Sequence, residues 1–426
     1  MTDAVHMIEP LARPPDCEIH VPGSKSLTNR ALLIAALADG ASTLDGALFS
    51  DDTDYMVEAW RRLGIDVEAN VEASRIRVHG TGGHIPAPSA ELYVGNAGTA
   101  MRFLVGALCL GRGRFRIDGS ARMRQRPIQD LLDALAQLGA QVRCELQGGC
   151  PPVVITATGL AGGATRVAGG KSSQFLSAVL LAAPYARAQV DIEVSGPLVA
   201  QPYVDMSLGV MHAFGVEVGR EDYRRFTVSP QRYAARRYRV EPDASSAHYF
   251  LAAAALCGGR VRVPGLGRGS LQGDLRFVDV LEQMGATVSR GADFVEVSGG
   301  AELEGIEADM NAISDTAPTL ATLAPFARRP VAIRNIAHVR LQESDRLHAV
   351  ATELARVGVR VRELNDGLVI TPSQIRAGIV ETYDDHRIAM SFALMGLRVG
   401  GIGIRDPHCV RKTFPEFFTR LEELRR

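Results

Sequence analysis

Apolar residues along the chain occur in long, nearly unbroken runs, and each run follows a turn of small and polar residues. The first run follows VPGSKS and reads LTNRALLIAALADG, with the alternating segment ASTLDG after it. A helix that is apolar on nearly all sides is typical of one enclosed by other elements. The pattern therefore predicts a polar turn, a buried helix and a strand.

This arrangement occurs six times, at intervals of 72, 75, 73, 72 and 69 residues. The copies begin at Gly23, Gly95, Gly170, Asp243, Asp315 and Asp384. A second, amphipathic helix is predicted between copies, and it stops at a glycine that fits the C′ position, where positive φ is common. These glycines are Gly64, Gly139, Gly215, Gly285 and Gly358. Each repeat is thus predicted as strand, buried helix, strand, amphipathic helix, strand, strand.

The length of 426 residues predicts two domains, and six repeats divide into two sets of three. The basic, turn-rich segment RYAARRYRVEPDASS predicts a crossover near Val240, and VPG predicts another at Val21. We expect an α/β fold with one domain of residues 1–21 plus 240–426 and a second of residues 22–239. Two linkers would permit hinge closure of the cleft between them, where we expect the active site.

Composition narrows the possible functions. The formal charge of −1 gives no global signature of nucleic-acid or membrane binding, so any anion site must be local. Six scattered cysteines without a C-x-x-C pair indicate thiols in a reducing compartment. The N-terminal segment has no signal-peptide pattern. We expect a monomer in the cytoplasm that binds neither nucleic acid nor membranes.

Basic residues gather at the turns that open the buried helices, where free backbone N–H groups and the helix dipole favour anions, and in the segments next to these turns. They are Lys25, Arg30, Arg102, Arg126, Lys171, Arg346, Arg387 and Lys412. At one turn such residues would be ordinary surface charge, but their presence at equivalent turns of a repeat indicates an anion receptor. The segment GGATRVAGGKSS does not fit a nucleotide-binding P-loop, because Thr165 stands where that motif has glycine.

Blocks in a fixed order along nearly the whole chain resemble the EPSP synthase family of enolpyruvyl transferases. They include PGSKSLTNRALLIAALA, GNAGTAMRFL, RMRQRPIQDLLDAL, SSQFLSAVLLAAP, QESDRLHAVATEL, TYDDHRIAM and DPHCVRKTFPEFF. The resemblance implies an inside-out α/β prism of two domains, each with three βαβαββ units around buried parallel helices. It also implies transfer of the enolpyruvyl group of phosphoenolpyruvate to the 5-hydroxyl of shikimate 3-phosphate, without metal or cofactor, in a shikimate-pathway step that glyphosate inhibits.

The resemblance assigns roles to individual residues. Those implied for phosphoenolpyruvate are Lys25, Gly98, Arg126, Gln174, Arg346, Arg387 and Lys412. Those implied for shikimate 3-phosphate are Lys25, Ser26, Arg30, Ser172, Ser173, Gln174, Tyr203, Asp315, His338 and Gln342. Lys25, Asp315 and Glu343 are implied in catalysis, with Asp315 on the hydroxyl side and Glu343 on the carbon side. Structural alternatives exist for both carboxylates: Asp315 as the N-cap of DTAPTLATLAPF, and Glu343 as a first-turn residue favoured by the helix dipole.

Several positions depart from the family's common pattern. Ala200 stands where a serine is frequent, Gln342 where lysine is frequent, His338 where asparagine is frequent and Phe103 where proline is frequent. The first two positions are associated with the substrate phosphate. Lys171 lies beside Ser172 and Ser173, so we expect that the missing cation has moved to this turn.

Alternative functions remain open at this point. UDP-N-acetylglucosamine enolpyruvyl transferase shares the repeat fold, although the SSQ and DDHRIAM blocks fit the shikimate enzyme better. A related enolpyruvyl transferase with an altered acceptor, or a non-catalytic anion-binding relative, would also explain the cationic turns. A turnover assay would distinguish these alternatives.

Overall fold

The computed structural model describes residues 4–300 and 302–425. Their α-helices are α1 (Lys25–Leu37), α2 (Asp51–Arg62), α3 (Gly98–Leu108), α4 (Gln129–Gln137), α5 (Ser173–Ala182), α6 (Pro202–Ala213), α7 (Ala244–Cys257), α8 (Phe277–Gln283), α9 (Ala317–Leu323), α10 (Arg346–Arg356), α11 (His386–Gly396) and α12 (Phe417–Leu421). No helix of the described residues is both long enough and apolar enough to span a bilayer.

The strands alternate with these helices along most of the chain. They are β1 (Val5–Ile8), β2 (Asp16–Glu18), β3 (Asp39–Asp45), β4 (Asp66–Asn70), β5 (Arg75–Thr81), β6 (Ser89–Tyr93), β7 (Arg112–Asp118), β8 (Gln141–Cys144), β9 (Val153–Thr158), β10 (Gly163–Ala168), β11 (Val190–Ser195), β12 (Gly219–Glu221), β13 (Arg225–Val228), β14 (Arg237–Arg239), β15 (Arg260–Pro264), β16 (Thr287–Arg290), β17 (Phe294–Ser298), β18 (Glu307–Asp309), β19 (Val331–Arg334), β20 (Arg360–Glu363), β21 (Leu368–Thr371), β22 (Gly378–Val380) and β23 (Ile402–Arg405).

The chain forms two compact units, which are called the central unit and the terminal unit below. The central unit is Gly23–Val240, and the terminal unit combines the residues up to Pro22 with those from Glu241 onward. Each unit has its own apolar core. The chain therefore passes from one unit to the other after Pro22 and again after Val240.

The central unit contains three four-stranded sheets, with strand orders β14-β3-β5-β4, β6-β7-β9-β8 and β10-β11-β13-β12. In each sheet the first two strands are parallel and the other pairs are antiparallel. The parallel partner of β3 is β14, which is the last strand of this unit along the chain. The first repeat of the unit is thus completed by a segment about 190 residues later.

The terminal unit contains two four-stranded sheets, β16-β17-β15-β2 and β18-β19-β21-β20, and one three-stranded sheet, β1-β23-β22. The sixth repeat differs from the other five, because no strand follows α12 among the described residues, whereas a β-hairpin follows the second helix of the other repeats. Strand β1 pairs antiparallel with β23 and supplies the third strand. Gly396 permits the close packing of α11 on β1, since a Cβ at this position would lie 2.4 Å from Cβ of Ile8.

The prediction of buried helices is confirmed. Every residue of α3 and α11 is buried, and so is every residue of α1 from Leu27 onward. Helices α3 and α5 approach so closely that a Cβ at Gly106 would lie 2.7 Å from the carbonyl oxygen of Ala178. The five glycines predicted at helix C′ positions all have φ between +85° and +99°, as expected for left-handed helix ends. The N-termini of these buried helices carry most of the predicted site residues.

Candidate functional site

The N-terminus of α1 carries Lys25 as its first residue, after the N-cap Ser24, whose hydroxyl accepts a hydrogen bond from the backbone of Leu27. The ammonium nitrogen of Lys25 lies 3.5 Å from Oδ2 of Asp52. Asp52 is buried in the first turn of α2. Lys25 is therefore held at the start of its helix by a buried counterion that the sequence did not identify.

Arg30 lies one turn further along α1, and only 1% of it is exposed. Its Nε donates to Oγ of Ser207 at 2.8 Å, and its two terminal nitrogens donate to the carbonyl oxygens of Ser26 at 3.0 Å and Tyr203 at 2.9 Å. All three acceptors are neutral. Burial lowers the pKa of Arg30 to about 10, so the guanidinium stays charged near neutral pH. A buried cation with neutral acceptors creates an environment suited to an anionic ligand.

The N-terminus of α3 lies against two guanidinium groups. A Cβ at Gly98 would be 2.6 Å from Nη2 of Arg126 and 3.1 Å from Nη1 of Arg102, so only glycine fits without displacing a side chain. Arg126 donates to the backbone oxygen of Asn96 at 3.0 Å and to its side-chain oxygen at 3.1 Å. Two cations and the start of an 11-residue helix thus meet at one point, which favours anion binding.

The N-terminus of α5 is connected to that of α3. Oγ of Ser172 caps α5 by accepting from the backbone N–H of Gln174 at 3.2 Å. The side-chain amide of Gln174 donates to Oγ1 of Thr99 at 3.3 Å. Ser173 is buried in the first turn of the helix. The hydroxyl residues and amide predicted for shikimate 3-phosphate therefore lie at a helix start, and Gln174 contacts the residue after Gly98, which is predicted for phosphoenolpyruvate.

Lys171 precedes this cap, and about half of its side chain is exposed. Its ammonium nitrogen lies 2.9 Å from Oδ2 and 3.2 Å from Oδ1 of Asp130, in the first turn of α4. The ammonium group is therefore already paired with a carboxylate. Any role in phosphate binding requires Lys171 to exchange this partner for the ligand.

In the terminal unit, Arg346 occupies the centre of a buried charge cluster. It is the first residue of α10, and only 2% of its side chain is exposed. Its guanidinium contacts Oδ1 of Asp315 at 3.0 Å, Oε2 of Glu343 at 3.0 Å and Oδ2 of Asp385 at 2.8 Å. Burial alone would lower the pKa of Arg346, but these carboxylates reverse the effect and raise it. One guanidinium thus holds both predicted catalytic carboxylates.

Two further cations complete this cluster. Nη2 of Arg387 donates to Oδ2 of Asp315 at 2.6 Å, and Nζ of Lys412 lies 4.0 Å from Oε1 of Glu343. Arg387 is in the first turn of α11, whose N-cap is Asp385. Three of the five cations predicted for phosphoenolpyruvate, Arg346, Arg387 and Lys412, therefore lie against one or both carboxylates predicted for catalysis. A multiply charged anion that binds there would compete with these carboxylates for the same donors.

The structural alternatives for the two carboxylates are wrong. Asp315 lies inside a 3₁₀ segment, Asn311–Thr316, and the N-cap of α9 is Thr316. Glu343 precedes the N-cap of α10, Asp345, so it does not belong to the first turn. Neither carboxylate completes a helix end, and their contacts with arginine are what hold them in place.

His338 and Gln342 border this cluster. Nε2 of His338 is hydrogen-bonded to Oγ of Ser314 at 2.9 Å, and burial lowers the pKa of His338 to about 4. The imidazole is therefore neutral at pH 7. The amide of Gln342 donates to Oδ1 of Asp315 at 3.5 Å and accepts from Arg346. Neither residue adds a positive charge at the positions where we had noted departures from the family pattern.

Asp52 and Asp385 are functional candidates that the sequence reasoning missed. Asp385 is fully buried, caps α11 through the backbone N–H of Arg387, and binds both Arg346 and the hydroxyl of Ser344. Its position before a predicted helix is a typical N-cap signal that could have identified it. The Asp52 contact joins α2 to α1, and no pattern within either segment indicated it.

Among the described residues, one group has the mutual spacing of metal ligands: Asp66, Glu68 and His79 on the hairpin of β4 and β5. The two carboxylates are exposed, and none of the three residues belongs to the predicted site. The carboxylates Asp315, Glu343 and Asp385 instead bind guanidinium groups. The chemistry available around them is therefore anion binding and proton transfer.

A sequence profile of the EPSP synthase (3-phosphoshikimate 1-carboxyvinyltransferase) family matches residues 13–421. The chain is 50% identical over 414 residues to the 3-phosphoshikimate 1-carboxyvinyltransferase of Trichormus variabilis, with 97% of each chain covered. It is 49% identical over 413 residues to that of Shewanella denitrificans, with 96% of each chain covered.

Solved structures give the same relationship at greater distance. The EPSP synthase of Acinetobacter baumannii matches with a TM-score of 0.83 at 28% identity, covering 99% of this chain and 98% of that one. The enolpyruvyl transferase NikO from Streptomyces tendae matches with a TM-score of 0.77 at 19% identity, covering 99% of this chain and 97% of that one. The second likeness concerns the fold alone.

Proposed function

The chain belongs to the EPSP synthase family, and we propose that it transfers the enolpyruvyl group of phosphoenolpyruvate to the 5-hydroxyl of shikimate 3-phosphate and releases phosphate. One observation supports this function above the others: Asp315 and Glu343 both bind the buried guanidinium of Arg346. The reaction needs a base for a hydroxyl and an acid for a carbon, close to cations that bind a phosphorylated carboxylate. This cluster contains all of those groups.

Phosphoenolpyruvate carries a phosphate and a carboxylate, and each can accept two parallel hydrogen bonds from a planar guanidinium group. We propose that it binds to residues of both units, since the cations suited to it occur in each. The residues proposed are Lys25, Gly98, Arg126, Gln174, Arg346, Arg387 and Lys412. Arg346 and Arg387 now bind Asp315, so ligand binding exchanges carboxylate contacts for substrate contacts and leaves Asp315 available as a base.

For shikimate 3-phosphate we propose that Arg30 binds the carboxylate together with Ser26. The three neutral acceptors of Arg30 use one N–H group on each of its nitrogens, and the two remaining N–H groups can meet a carboxylate. Ser172, Ser173 and Lys171 at the start of α5 are proposed for the phosphate. Further contacts are proposed from Lys25, Gln174, Tyr203, Asp315, His338 and Gln342. A single cleft shared by the two sets of residues stays a prediction.

The reaction proceeds by addition and elimination. Asp315 takes the proton of the 5-hydroxyl while the hydroxyl oxygen bonds to C2 of phosphoenolpyruvate. Glu343 gives a proton to C3, and the product of this addition is a tetrahedral ketal. The C2–O bond to phosphate then breaks with its electron pair on phosphate, and C3 returns a proton to Glu343 as the double bond forms again. The proton on Asp315 passes to phosphate or water. Lys25 offsets the negative charge between the substrates.

We further propose that the protein acts as a cytoplasmic monomer without a cofactor. The six cysteines Cys17, Cys109, Cys144, Cys150, Cys257 and Cys409 are all free thiols, which suits a reducing compartment. Light scattering of the purified chain tests the monomer, because a mass near 45.7 kDa is expected.

Phosphate release by the purified protein tests the function. Release is expected only when phosphoenolpyruvate and shikimate 3-phosphate are both present, and a chelator should not change its rate. Asp315→Asn and Glu343→Gln should each lower kcat at least about 100-fold, since each removes a proton-transfer group. Glu302→Gln, an exposed carboxylate of the terminal unit, is the matched control and should keep wild-type activity. No release with both substrates present would overturn the assignment.

A further inference from the structure

Phe103 on α3 and Arg30 on α1 form a buried cation–π pair in the central unit. Cζ of Arg30 lies over the ring at 5.1 Å from its centroid, and both side chains are almost completely excluded from solvent. We propose that Phe103 is a positioning residue that fixes the Arg30 guanidinium for the carboxylate of the acceptor substrate. The proposal rests on the proposed function, in which Arg30 binds that carboxylate.

The hydrogen bonds of Arg30 explain why a ring matters at this position. Ser207, Ser26 and Tyr203 each accept a hydrogen bond from a different guanidinium nitrogen, and all three acceptors are neutral. Among the described residues no carboxylate pairs with Arg30. In the absence of substrate, the face of the Phe103 ring, which carries partial negative charge, thus contacts the cation. Cation–π attraction is strongest between desolvated partners.

Phe103 also determines which part of the guanidinium stays accessible. Hydrogen bonds to all three nitrogens and a ring over the group together restrict both the tilt and the rotation of the guanidinium, so its remaining N–H groups have a fixed direction. A carboxylate that needs two parallel hydrogen bonds is sensitive to that direction. A tilted guanidinium would still be charged but would form one good hydrogen bond instead of two.

The location of Phe103 on α3 links the two substrate subsites. Helix α3 begins at Gly98, which packs on Arg126, and Arg102 in its next turn donates to the carbonyl of Gly98 at 3.3 Å. The side chain after Arg102 is Phe103, which meets Arg30 on α1. Arg126, proposed for phosphoenolpyruvate, and Arg30, proposed for the acceptor, therefore both lie against the first two turns of α3. Substitution of the ring should weaken acceptor binding first, since the cation that the ring contacts is Arg30.

Fluorinated phenylalanines at position 103 give the sharpest test, because they weaken the negative ring face with little change in ring shape. The KM for shikimate 3-phosphate is expected to rise with each added fluorine and to reach about tenfold with the pentafluoro ring. The KM for phosphoenolpyruvate should stay within about twofold of wild type. Phe103→Leu should likewise raise the KM for shikimate 3-phosphate and leave that for phosphoenolpyruvate nearly unchanged. The dissociation constant of shikimate 3-phosphate, measured by calorimetry, should rise in parallel.

Phe115→Leu is the matched control, since Phe115 is a fully buried phenylalanine of β7 in the same unit. It should lower the Tm as Phe103→Leu does, but leave both KM values unchanged. A merely structural Phe103 would behave like this control, and that result would overturn the proposal. An equal rise in both KM values, or no trend with fluorination, would also overturn it.

Failure of the proposed function gives a different result. Wild-type protein that binds shikimate 3-phosphate but releases no phosphate refutes the proposed function, while calorimetry on the Phe103 variants still tests the positioning role without turnover. Wild-type protein that turns over normally, with variants that bind the acceptor as tightly as wild type, refutes only the role of Phe103. Wild-type protein that does not bind shikimate 3-phosphate refutes both.

Discussion

Arg346 in the terminal unit and Arg30 in the central unit are both buried arginines near a helix start, but their surroundings differ in charge. Arg346 binds three carboxylates, Asp315, Glu343 and Asp385. Among the described residues, Arg30 donates only to a hydroxyl and two backbone carbonyls. Accordingly the carboxylates raise the pKa of Arg346, whereas burial lowers that of Arg30 to about 10.

This difference separates two ways of preparing a cation for an anionic ligand. The Arg346 cluster is electrically balanced before substrate arrives, so a substrate must displace existing contacts, and the displaced carboxylates become free to move protons. Arg30 pairs with no carboxylate in the part of the chain that the structure describes, so an incoming carboxylate gains a desolvated charge partner directly. The first arrangement suits catalysis, and the second suits recognition.

Replacing each arginine with methionine should give the largest difference between the two sites, measured as the free energy of unfolding. Arg346→Met leaves buried carboxylates without their main counterion and should lower the free energy of unfolding by about 3–5 kcal/mol. Arg30→Met removes a desolvated cation from neutral acceptors and should change the free energy of unfolding by no more than about 1 kcal/mol. Chemical denaturation measures both: circular dichroism follows the whole chain, and the fluorescence of Trp60, the single tryptophan, follows the central unit.

The pH dependence of these variants provides the control. Lower pH should restore part of the stability of Arg346→Met, because a carboxylate can then become protonated, and it should not restore Arg30→Met. Equal stability losses in the two variants at pH 7 would contradict the proposed difference between the units.

His338→Asn tests whether the imidazole that borders the Arg346 cluster is neutral in the folded protein. The pKa of His338 is about 4 in the folded protein and 6.5 in its ordinary state, chiefly because of burial. The unfolded chain therefore binds more protons between these values, and stability should fall as pH drops from about 6.5 towards 4. The stability lost should approach about 3 kcal/mol, at about 1.36 kcal/mol for each pKa unit. Denaturation midpoints of wild type and His338→Asn should diverge over this range only.

His348→Asn controls for the loss of an imidazole, because His348 is an exposed residue of α10 in the same unit. Its denaturation midpoint should follow that of wild type across the same pH range. A parallel course for wild type and His338→Asn would show that the imidazole of His338 is not kept neutral by burial.

Gly98→Ala addresses the cations of the central unit. The added methyl group would lie 2.6 Å from Nη2 of Arg126, so the guanidinium must move away from the start of α3. The KM for phosphoenolpyruvate should rise about tenfold or more, equivalent to about 1.4 kcal/mol. The control Gly269→Ala adds a methyl group where no atom lies within 4 Å, and steady-state kinetics should match wild type. An unchanged KM in Gly98→Ala would argue against phosphoenolpyruvate at this helix start.

Lys171 should give the smallest effect, because its ammonium group is already paired with Asp130 and half exposed. Lys171→Ala should raise the KM for shikimate 3-phosphate about threefold, within the range of an exposed ion pair. Asp130→Asn should lower it, since the substrate phosphate then has no competitor for Lys171. Asp133→Asn makes the same charge change on the same helix without contacting Lys171. Shifts in the same direction for Lys171→Ala and Asp130→Asn would rule out the competition.

The sequence by itself determined the elements of the fold and most residues of the candidate site. Buried helices, amphipathic helices and the glycines after them follow from periodicity and backbone preference over a few residues, which local geometry fixes in the same way in every repeat. The ordered blocks in turn identified the family and, through it, residues such as Lys25 and Asp315.

Only the tertiary structure decided how the charges pair and how the last sheet closes. Arg30 meets Ser207 across 177 positions of the chain, Asp385 reaches Arg346 across 39, and β1 completes the sheet of β23 from the other end of the sequence. The helix-cap alternative for Asp315 rested on its sequence neighbours alone, but two arginines from other helices bind this carboxylate. Periodicity reports which face of an element is buried, whereas the counterion of a buried charge depends on which distant segments the fold brings within hydrogen-bonding distance.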